Sequence, residues 1–272
     1  GEITKRGVVD VLRKGVSHGP VHLDLYKLLP TPGNVTAAEA FGKNIFSVTR
    51  QVRYSNDSGN ELDMVIFING LPVLTFELKN SLTKQTLADA IVQYQTTRSP
   101  QELLFQLGRC VAHIAVDDAE AAFCTELKGK ASWFLPFNQG RNSGAGNPPN
   151  PNGLKTDYLW KSVLTRDSLA NIIESFAQVV EEETDSKGKK RKKRKQIFPR
   201  FHQLRTVRAL LRCARADGVG KRYLIQHSAG SGKSNTIAWL AHQLVELRTA
   251  TDPLTAQFDS IIVITDRRAL DT

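Results

Sequence analysis

The sequence predicts an α/β fold in two units, a mixed sheet with flanking helices followed by an incomplete parallel α/β unit. Two apolar, β-branched segments flank Asn69 and Gly70, a residue pair typical of a tight hairpin. Both segments are apolar on both faces, which predicts central strands covered by helices. Farther along, residues 222–241 run from a short apolar segment through a Gly/Ser-rich loop to a helical pattern, the order that a phosphate-binding loop requires.

Length and charge predict the domain boundaries. A chain of 272 residues, of which 40% are hydrophobic, is long enough for one or two domains with sizeable cores. The net charge of +10 is concentrated, because eight basic residues lie at Lys187 and in 189–195 and the rest of the chain carries only +2. Such a block either contacts a phosphate backbone or forms a solvated linker. We predict a first domain over 1–183, a basic linker over 184–196 and a second domain over 197–272.

Membrane and disulfide-rich classes do not fit the composition. No run approaches the ~20 apolar residues of a membrane span, and the first residues lack the apolar segment of a signal peptide. The three cysteines, Cys110, Cys124 and Cys213, have neither metal-ligand spacing nor the arrangement of a disulfide framework. We therefore expect a cytoplasmic protein without a membrane partner.

Three charged residues stand out at the ends of the hairpin strands: Asp63, Glu77 and Lys79. Burying a charged side chain in a strand costs free energy unless the charge pairs with another group or coordinates a ligand. Period-two geometry puts Glu77 and Lys79 on one face, whereas the position of Asp63 depends on the turn. A two-residue loop pairs Asp63 with Phe76, but a three-residue loop or an equivalent bulge pairs it with Glu77. If the three charges form a site, we predict the second arrangement, because Pro72 favours an irregular strand.

Two converging carboxylates would bind a hard divalent cation such as Mg²⁺ through Asp63 and Glu77. The cation would activate water and stabilise charge on a scissile phosphate, and Lys79 would orient the water or neutralise the transition state. In the alternative interpretation, the Asp followed by Glu-x-Lys is a chance pattern, and Asp63, Glu77 and Lys79 have only a structural role. Gln93, in the next predicted helix, either faces this site or fills a helix flank.

The segments around the hairpin complete the first predicted domain. A capping residue and helical spacing predict a helix over 81–97. Two further strands are predicted over 110–116 and 120–125. Residues 138–153 are rich in Gly, Asn and Pro and predict a loop, and 168–180 predict an amphipathic helix that leads into the basic linker.

The loop at 228–234 reads Ser-Ala-Gly-Ser-Gly-Lys-Ser. Its glycines free the backbone to turn N–H groups toward phosphate oxygens, and the following helix adds positive potential. Lys233 would reach the β- and γ-phosphates and Ser234 would bind Mg²⁺. His227 stands where the motif has its first glycine, and the competing interpretation is a chance turn with a surface lysine. The predicted nucleotide contacts on the loop are Gly230, Ser231, Gly232, Lys233 and Ser234.

The rest of the second unit predicts one βαβ crossover. Residues 261–264 have the continuous apolar character of a buried parallel strand, and 235–248 supply the crossover helix. The polar residues 265–268 would follow at the carboxyl edge of that strand, where ligands bind. No acidic pair follows, so we expect no ATP hydrolysis by this piece alone and expect the natural polypeptide to continue.

In this order the motifs resemble the N-terminal part of the R (HsdR) subunit of type I restriction enzymes. The resemblance rests on the charged hairpin with Asn-Gly-Leu-Pro at 69–72, the Asn/Gly/Pro loop at 137–153, Tyr-Leu-Trp at 158–160, Arg-Phe-His-Gln at 200–203, the phosphate loop, and Val-Ile-Thr-Asp-Arg at 263–267. It implies a restriction-endonuclease-like nuclease domain joined to a RecA-like, superfamily 2 translocase.

The resemblance also implies roles for individual residues. Asp63 and Glu77 would be Mg²⁺ ligands and Lys79 the catalytic lysine. Gln203 would contact the adenine of ATP, and Thr265, Asp266 and Arg267 would match a motif near the DNA track. Related subunits often carry Gln-x-x-x-Tyr after the Glu-x-Lys strand, whereas here Gln93 is followed directly by Tyr94 and, four positions on, by Thr97.

The implied function is ATP-driven translocation of double-stranded DNA followed by cleavage, in a bacterial or archaeal cytoplasm. Separate specificity and modification (methyltransferase) subunits would be the partners. The residues by themselves leave two other functions open. One is a helicase-like translocase whose N-terminal domain only binds DNA or protein, and the other is a nucleotide-binding regulator unrelated to DNA.

Overall fold

The computed structural model describes residues 1–142, 144–186 and 189–264. Over these residues the chain forms two compact units. The first comprises Gly1–Pro30 and Val35–Phe198, and the second comprises Thr31–Asn34 and the described part of Pro199–Thr272. No helix in the described ranges combines the length and the apolar character that a membrane crossing requires.

The first unit contains the strands of the structure and most of its helices. Its strands are β1 Val16–His18, β2 Val21–Leu23, β3 Phe46–Arg53, β4 Glu61–Ile68, β5 Leu71–Leu78, β6 Ala112–Val116, β7 Ala121–Cys124, β8 Leu135–Pro136, β9 Gln178–Ser186 and β10 Lys189–Ile197. Its helices are α1 Glu2–Arg6, α2 Val8–Lys14, α3 Val35–Gly42, α4 Leu87–Thr96 and α5 Arg166–Ser175, with 3₁₀ turns at Ser81–Thr83 and Leu103–Phe105 and a π-helical turn at Leu159–Val163.

The central sheet has six strands in the order β3-β4-β5-β6-β7-β8. All neighbours are antiparallel except β5 and β6, which are parallel. A parallel pair needs a crossover connection, and α4 provides it here. The mixed sheet with flanking helices confirms the predicted fold of this part of the chain.

The β4–β5 hairpin turns at Asn69 and Gly70, which both have positive φ, 49° and 81°. These angles belong to a two-residue turn whose twist matches that of the strands. The Asn69 amide holds the turn in place, since its oxygen accepts from the Ile45 N–H at 2.7 Å and its nitrogen donates to the Leu25 carbonyl at 2.8 Å.

A β-bulge follows directly after the turn. The ladder pairs Ile68 with Leu71 and Phe67 with Pro72, but then Ile66 with Leu74, so that Val73 has no partner of its own. Because the side-chain period of a strand is two, one extra residue exchanges the faces of all later β5 residues. The predicted bulge that would bring Asp63 opposite Glu77 is confirmed, although the turn itself has two residues.

Helix α4 begins later than the predicted helix over 81–97. Asn80 caps the 3₁₀ turn Ser81–Thr83 by accepting from the Thr83 N–H at 3.0 Å, and Lys84 then adopts a positive φ of 57° that interrupts helical hydrogen bonding. The chain re-enters a helix at Leu87, where the Asp89 carboxylate accepts from the Thr86 N–H at 2.7 Å.

Helix α4 covers one face of the sheet. Ala90 and Tyr94 from the helix join a buried cluster with Leu62, Val65 and Ala115 from the strands. This packing holds α4 across the ends of β4 and β5, where the charged residues lie.

The basic segment forms a strand rather than the predicted linker over 184–196. The helix predicted over 168–180 ends at Ser175, and β9 and β10 pair as an antiparallel ribbon. The register sets Glu181 opposite Arg194, and the ammonium of Lys192 lies 3.3 Å from the Glu181 carboxylate. Opposite charges on neighbouring strands stabilise such a ribbon. The basic run considered without the acidic residues of β9 does not predict this pairing.

The second unit contains α6 Phe201–Asp217 and α7 Lys233–Val245, which pack on each other. The strands predicted at 222–226 and 261–264 are absent, and Leu224 and Ile264 are 95% and 89% exposed. A parallel strand is stabilised by neighbouring strands and covering helices, and neither segment pairs with a described strand. The predicted parallel sheet is therefore wrong for these residues, and the motif at 265–267 lies outside the described residues.

Candidate functional site

The hairpin brings two carboxylates together at the far end of β4 and β5 from the turn. One step beyond the pair Met64 and Phe76, the register sets Asp63 opposite Glu77. Residues opposite each other in an antiparallel pair share a face. The Asp63 carboxylate accepts a hydrogen bond from the Leu78 N–H at 2.7 Å, which holds it against β5.

Glu77 is fully buried and its two oxygens differ in their surroundings. Oε1 accepts a hydrogen bond from Nε of Arg98 at 2.6 Å, whereas Oε2 is buried and accepts no hydrogen bond from any residue that the structure describes. Burial raises the pKa of Glu77 to about 7; the Arg98 guanidinium opposes this shift, and the Asp63 carboxylate adds to it. A buried carboxylate oxygen without a donor is uncommon in folded proteins and calls for a specific explanation.

Lys79 and Gln93 meet next to this pair. The Lys79 ammonium donates a hydrogen bond of 2.6 Å to the side-chain oxygen of Gln93 on α4. The Lys79 N–H also donates to the carbonyl of Val116 at 2.8 Å, which ties the end of β5 to β6. Of the two orientations that the sequence left open for Gln93, the structure shows the one that faces the charged residues.

Arg98 is the residue that the sequence analysis missed. Its side chain is 4% exposed and its guanidinium donates to Glu77, to the Tyr54 hydroxyl at 3.1 Å and to the Glu61 carbonyl at 2.8 Å. Arg98 follows the end of α4, where a basic residue is common because it complements the helix dipole. No local sequence pattern distinguished Arg98 from a basic residue that only complements the helix dipole.

A buried polar chain lies on the same sheet, beside the carboxylates. Tyr94 and Thr75 share a hydrogen bond of 2.9 Å between their hydroxyl oxygens, and the Thr75 hydroxyl lies 2.8 Å from Nδ1 of His113. Burial lowers the pKa of His113 to about 3. The three side chains satisfy one another, so we assign them a structural role in holding α4 on the sheet.

The donor set at the hairpin fits a hard cation. Carboxylate oxygens are the ligands that Mg²⁺ prefers, and Glu77 offers an unused one beside Asp63. Within the described ranges no group of three or more His, Cys, Asp and Glu side chains is arranged to hold a metal ion. A cation at Asp63 and Glu77 would therefore complete its shell with water or phosphate oxygens, as Mg²⁺ commonly does.

In the second unit the loop before α7 folds around Lys233. Its ammonium donates to the backbone carbonyls of His227 at 3.3 Å and Ser228 at 3.0 Å. Gly230 and Gly232 have positive φ of 69° and 83°, and the helix begins at Lys233, two residues before the predicted start at 235. Ser234 is exposed in the first turn of the helix, and the buried Ser231 hydroxyl oxygen has no hydrogen-bond partner among the residues that the structure describes.

Gln203 packs directly against this loop. Its side-chain nitrogen donates to the Gly232 carbonyl at 2.8 Å, and its oxygen accepts from the Arg200 N–H at 2.9 Å. A Cβ at residue 232 would lie 2.5 Å from the Gln203 amide nitrogen, so glycine is needed there for close approach. The structure thus brings the residue predicted to contact adenine to the loop before α7, with its amide bonded to the protein.

Comparison with known families identifies part of the chain. Residues 10–132 match the family described as Type I restriction enzyme R protein N terminus (HSDR_N). The match covers 123 of the 272 residues. The R protein N-terminal region includes the whole hairpin site, with Asp63, Glu77, Lys79, Gln93 and Arg98. The resemblance inferred from the order of the motifs is confirmed.

Two curated relatives extend the similarity beyond the R protein N-terminal region. A Haemophilus influenzae protein named type I restriction enzyme HindI endonuclease subunit is 26% identical over 238 residues, which covers 86% of this chain and 21% of that protein. A Methanocaldococcus jannaschii protein, provisionally named type I restriction enzyme MjaIXP endonuclease subunit, is 22% identical over 260 residues, 86% of this chain and 23% of that protein. The chain spans about a fifth of the length of these relatives.

Proposed function

We propose that this chain carries the nuclease centre and the start of the ATP-driven motor of a type I restriction endonuclease subunit. The observation that carries the proposal is the pairing of Asp63 with Glu77, whose buried Oε2 accepts no hydrogen bond from the described residues, two positions before Lys79 on the same strand face. The family match over residues 10–132 and the names of the two relatives support the restriction role. The reaction would be Mg²⁺-dependent hydrolysis of a DNA phosphodiester.

In this proposal each hairpin residue has its own task. Asp63 and Glu77 would hold Mg²⁺, which when bound would activate water and take up charge on the scissile phosphate. Lys79 would place its positive charge where negative charge develops on the phosphate. Gln93 would keep the Lys79 side chain in a single orientation through their 2.6 Å hydrogen bond. The site would thus combine cation binding with a fixed ammonium.

The second unit would bind ATP at the loop around Lys233. That ammonium is held by two backbone carbonyls of its own loop, so a γ-phosphate would replace these weak acceptors with a charged one. Ser234, exposed at the start of α7, would bind the nucleotide's Mg²⁺. ATP binding here would supply the translocation of double-stranded DNA, and specificity and modification subunits would select the site.

The test uses the full-length subunit assembled with its specificity and modification subunits on unmodified plasmid DNA. Asp63→Asn and Glu77→Gln should reduce cutting on the order of 100- to 1000-fold while ATP hydrolysis continues. Lys233→Ala should abolish both activities. Matched controls are Glu61→Gln, a surface carboxylate on the same strand that pairs with Arg53 at 2.9 Å, and the exposed Lys221→Ala. Wild-type cutting by Glu77→Gln would overturn the nuclease assignment.

One observation favours a second function. Glu77 and Arg98 form a buried ion pair, an arrangement that also occurs where a charge pair is purely structural. The N-terminal unit would then be a DNA- or protein-binding module of a helicase-like translocase that has no nuclease centre of its own. In that case Glu77→Gln would change the free energy of unfolding but leave the DNA cut by another component of the complex.

A further inference from the structure

The contacts of Arg98 show a side chain fixed in three directions. Nε bonds Glu77 on β5, one terminal nitrogen bonds the Tyr54 hydroxyl, and the other bonds the Glu61 carbonyl on β4. The guanidinium carbon also lies 5.5 Å from the centre of the Tyr54 ring. With 4% of the Arg98 side chain exposed, solvent cannot substitute for these partners.

As a consequence, Arg98 bonds only one of the two carboxylate oxygens of Glu77. Arginine often binds a carboxylate through two parallel hydrogen bonds, which would occupy both oxygens. Here the two terminal nitrogens bond Tyr54 and Glu61, and of the three guanidinium nitrogens only Nε bonds Glu77. Arg98 therefore holds the carboxylate through Oε1, and no donor among the described residues bonds the buried Oε2.

We propose that Arg98 is a positioning residue that holds Glu77 through Oε1 and thereby presents Oε2 as the cation-binding oxygen beside Asp63. This inference rests on the proposed cation site and goes beyond it by assigning a residue outside the ligand set. Lysine cannot replace arginine here, because one ammonium cannot bond Glu77, Tyr54 and Glu61 in a fixed plane. The side chain would act on the cation only through Glu77.

The experiment measures Mn²⁺ binding to the nucleotide-free, full-length subunit by isothermal titration calorimetry, with cutting activity as a second readout. Arg98→Met should weaken Mn²⁺ binding about 10- to 100-fold, as loss of a residue that orients a metal ligand typically does. Arg98→Lys should restore less than the full affinity. The matched control is Arg53→Met, since Arg53 also pairs with a carboxylate on β4 but is 77% exposed.

The variants separate positioning from folding and from failure of the cation site. Cooperative unfolding of each variant is checked by circular dichroism, and if Arg98→Met does not fold, Arg98→Lys decides the question. Wild-type or tighter Mn²⁺ binding by the folded Arg98 variant overturns the inference, because Arg98 would then be neutral or compete with the cation. If Asp63→Asn and Glu77→Gln also bind Mn²⁺ like wild type, the proposed cation site itself has failed.

Discussion

The carboxylates of Asp63 and Glu77 lie on one face of the β4–β5 hairpin because the ladder skips one residue of β5. Without the bulge at Val73, the two-residue turn would pair Asp63 with Phe76. Glu77 would then point to the opposite face of the sheet, away from α4. The turn, the bulge and the strand ends thus act together to build the site.

The turn should depend on glycine at position 70 for backbone reasons alone. Gly70 has a φ of 81° and nothing lies within 4 Å of a Cβ added there, so Gly70→Ala creates strain without a clash. We expect the free energy of unfolding to fall by about 1–2 kcal/mol, measured by urea denaturation. The control is Gly59→Ala, where a Cβ is equally unobstructed and φ is not positive. Equal stabilities for the two variants would contradict the assigned turn.

The hydrogen bond between Lys79 and Gln93 should affect cutting more than folding. In Gln93→Leu the ammonium loses its acceptor and becomes free to change orientation. We expect cutting by the assembled enzyme to fall about tenfold, equivalent to ~1.4 kcal/mol of transition-state stabilisation. ATP hydrolysis should be unchanged. Gln85→Leu, an exposed position before α4, serves as the control. A cutting rate equal to wild type would limit Gln93 to a structural role.

His113 should make the chain sensitive to acid. Its pKa is lowered from 6.5 to about 3 by burial, so below pH 6.5 the unfolded chain takes up a proton that the folded chain does not. Stability is therefore complete above this range and falls with pH by up to ~1.4 kcal/mol per pH unit until about pH 3.

The measurement compares urea unfolding of wild type and His113→Gln between pH 7 and 4. The variant is less stable at pH 7, because the hydrogen bond with Thr75 changes, but its stability should decline less steeply toward pH 4. His18→Gln, at an exposed position, should keep the wild-type slope. Parallel curves for wild type and His113→Gln would show that His113 is not buried in the neutral form.

Gln203 should contribute both to the fold of the second unit and to nucleotide choice. Gln203→Ala removes the partner of the Gly232 carbonyl and of the Arg200 N–H, which should cost about 1–3 kcal/mol of unfolding free energy. If the residue also contacts adenine, the ratio of the ATP and GTP dissociation constants should move toward one. Gln226→Ala, exposed ahead of the loop, is the control. An unchanged ratio with lowered stability would limit Gln203 to the structural role.

Local chemistry determined much of the first unit and the presence of α7. The Asn69-Gly70 pair predicts the turn because only a few residues tolerate positive φ, and apolar runs predict the strands because burial follows side-chain period. The helical pattern after the Gly/Ser-rich loop likewise predicts a helix over 235–248, and the structure has α7 over Lys233–Val245. These features depend on near neighbours in the chain, so the sequence was sufficient for them.

Long-range packing decided the rest. Arg98 reaches Glu77 across 21 positions of sequence, and no local pattern reports such a contact. The basic segment becomes a strand because β9 lies beside it, while the apolar segments at 222–226 and 261–264 form no strand and pair with none of the described strands. A strand is stable only beside a neighbouring strand, and a buried charge is stable only beside an opposite charge. The tertiary structure therefore decided where these strands form and which residue pairs with Glu77.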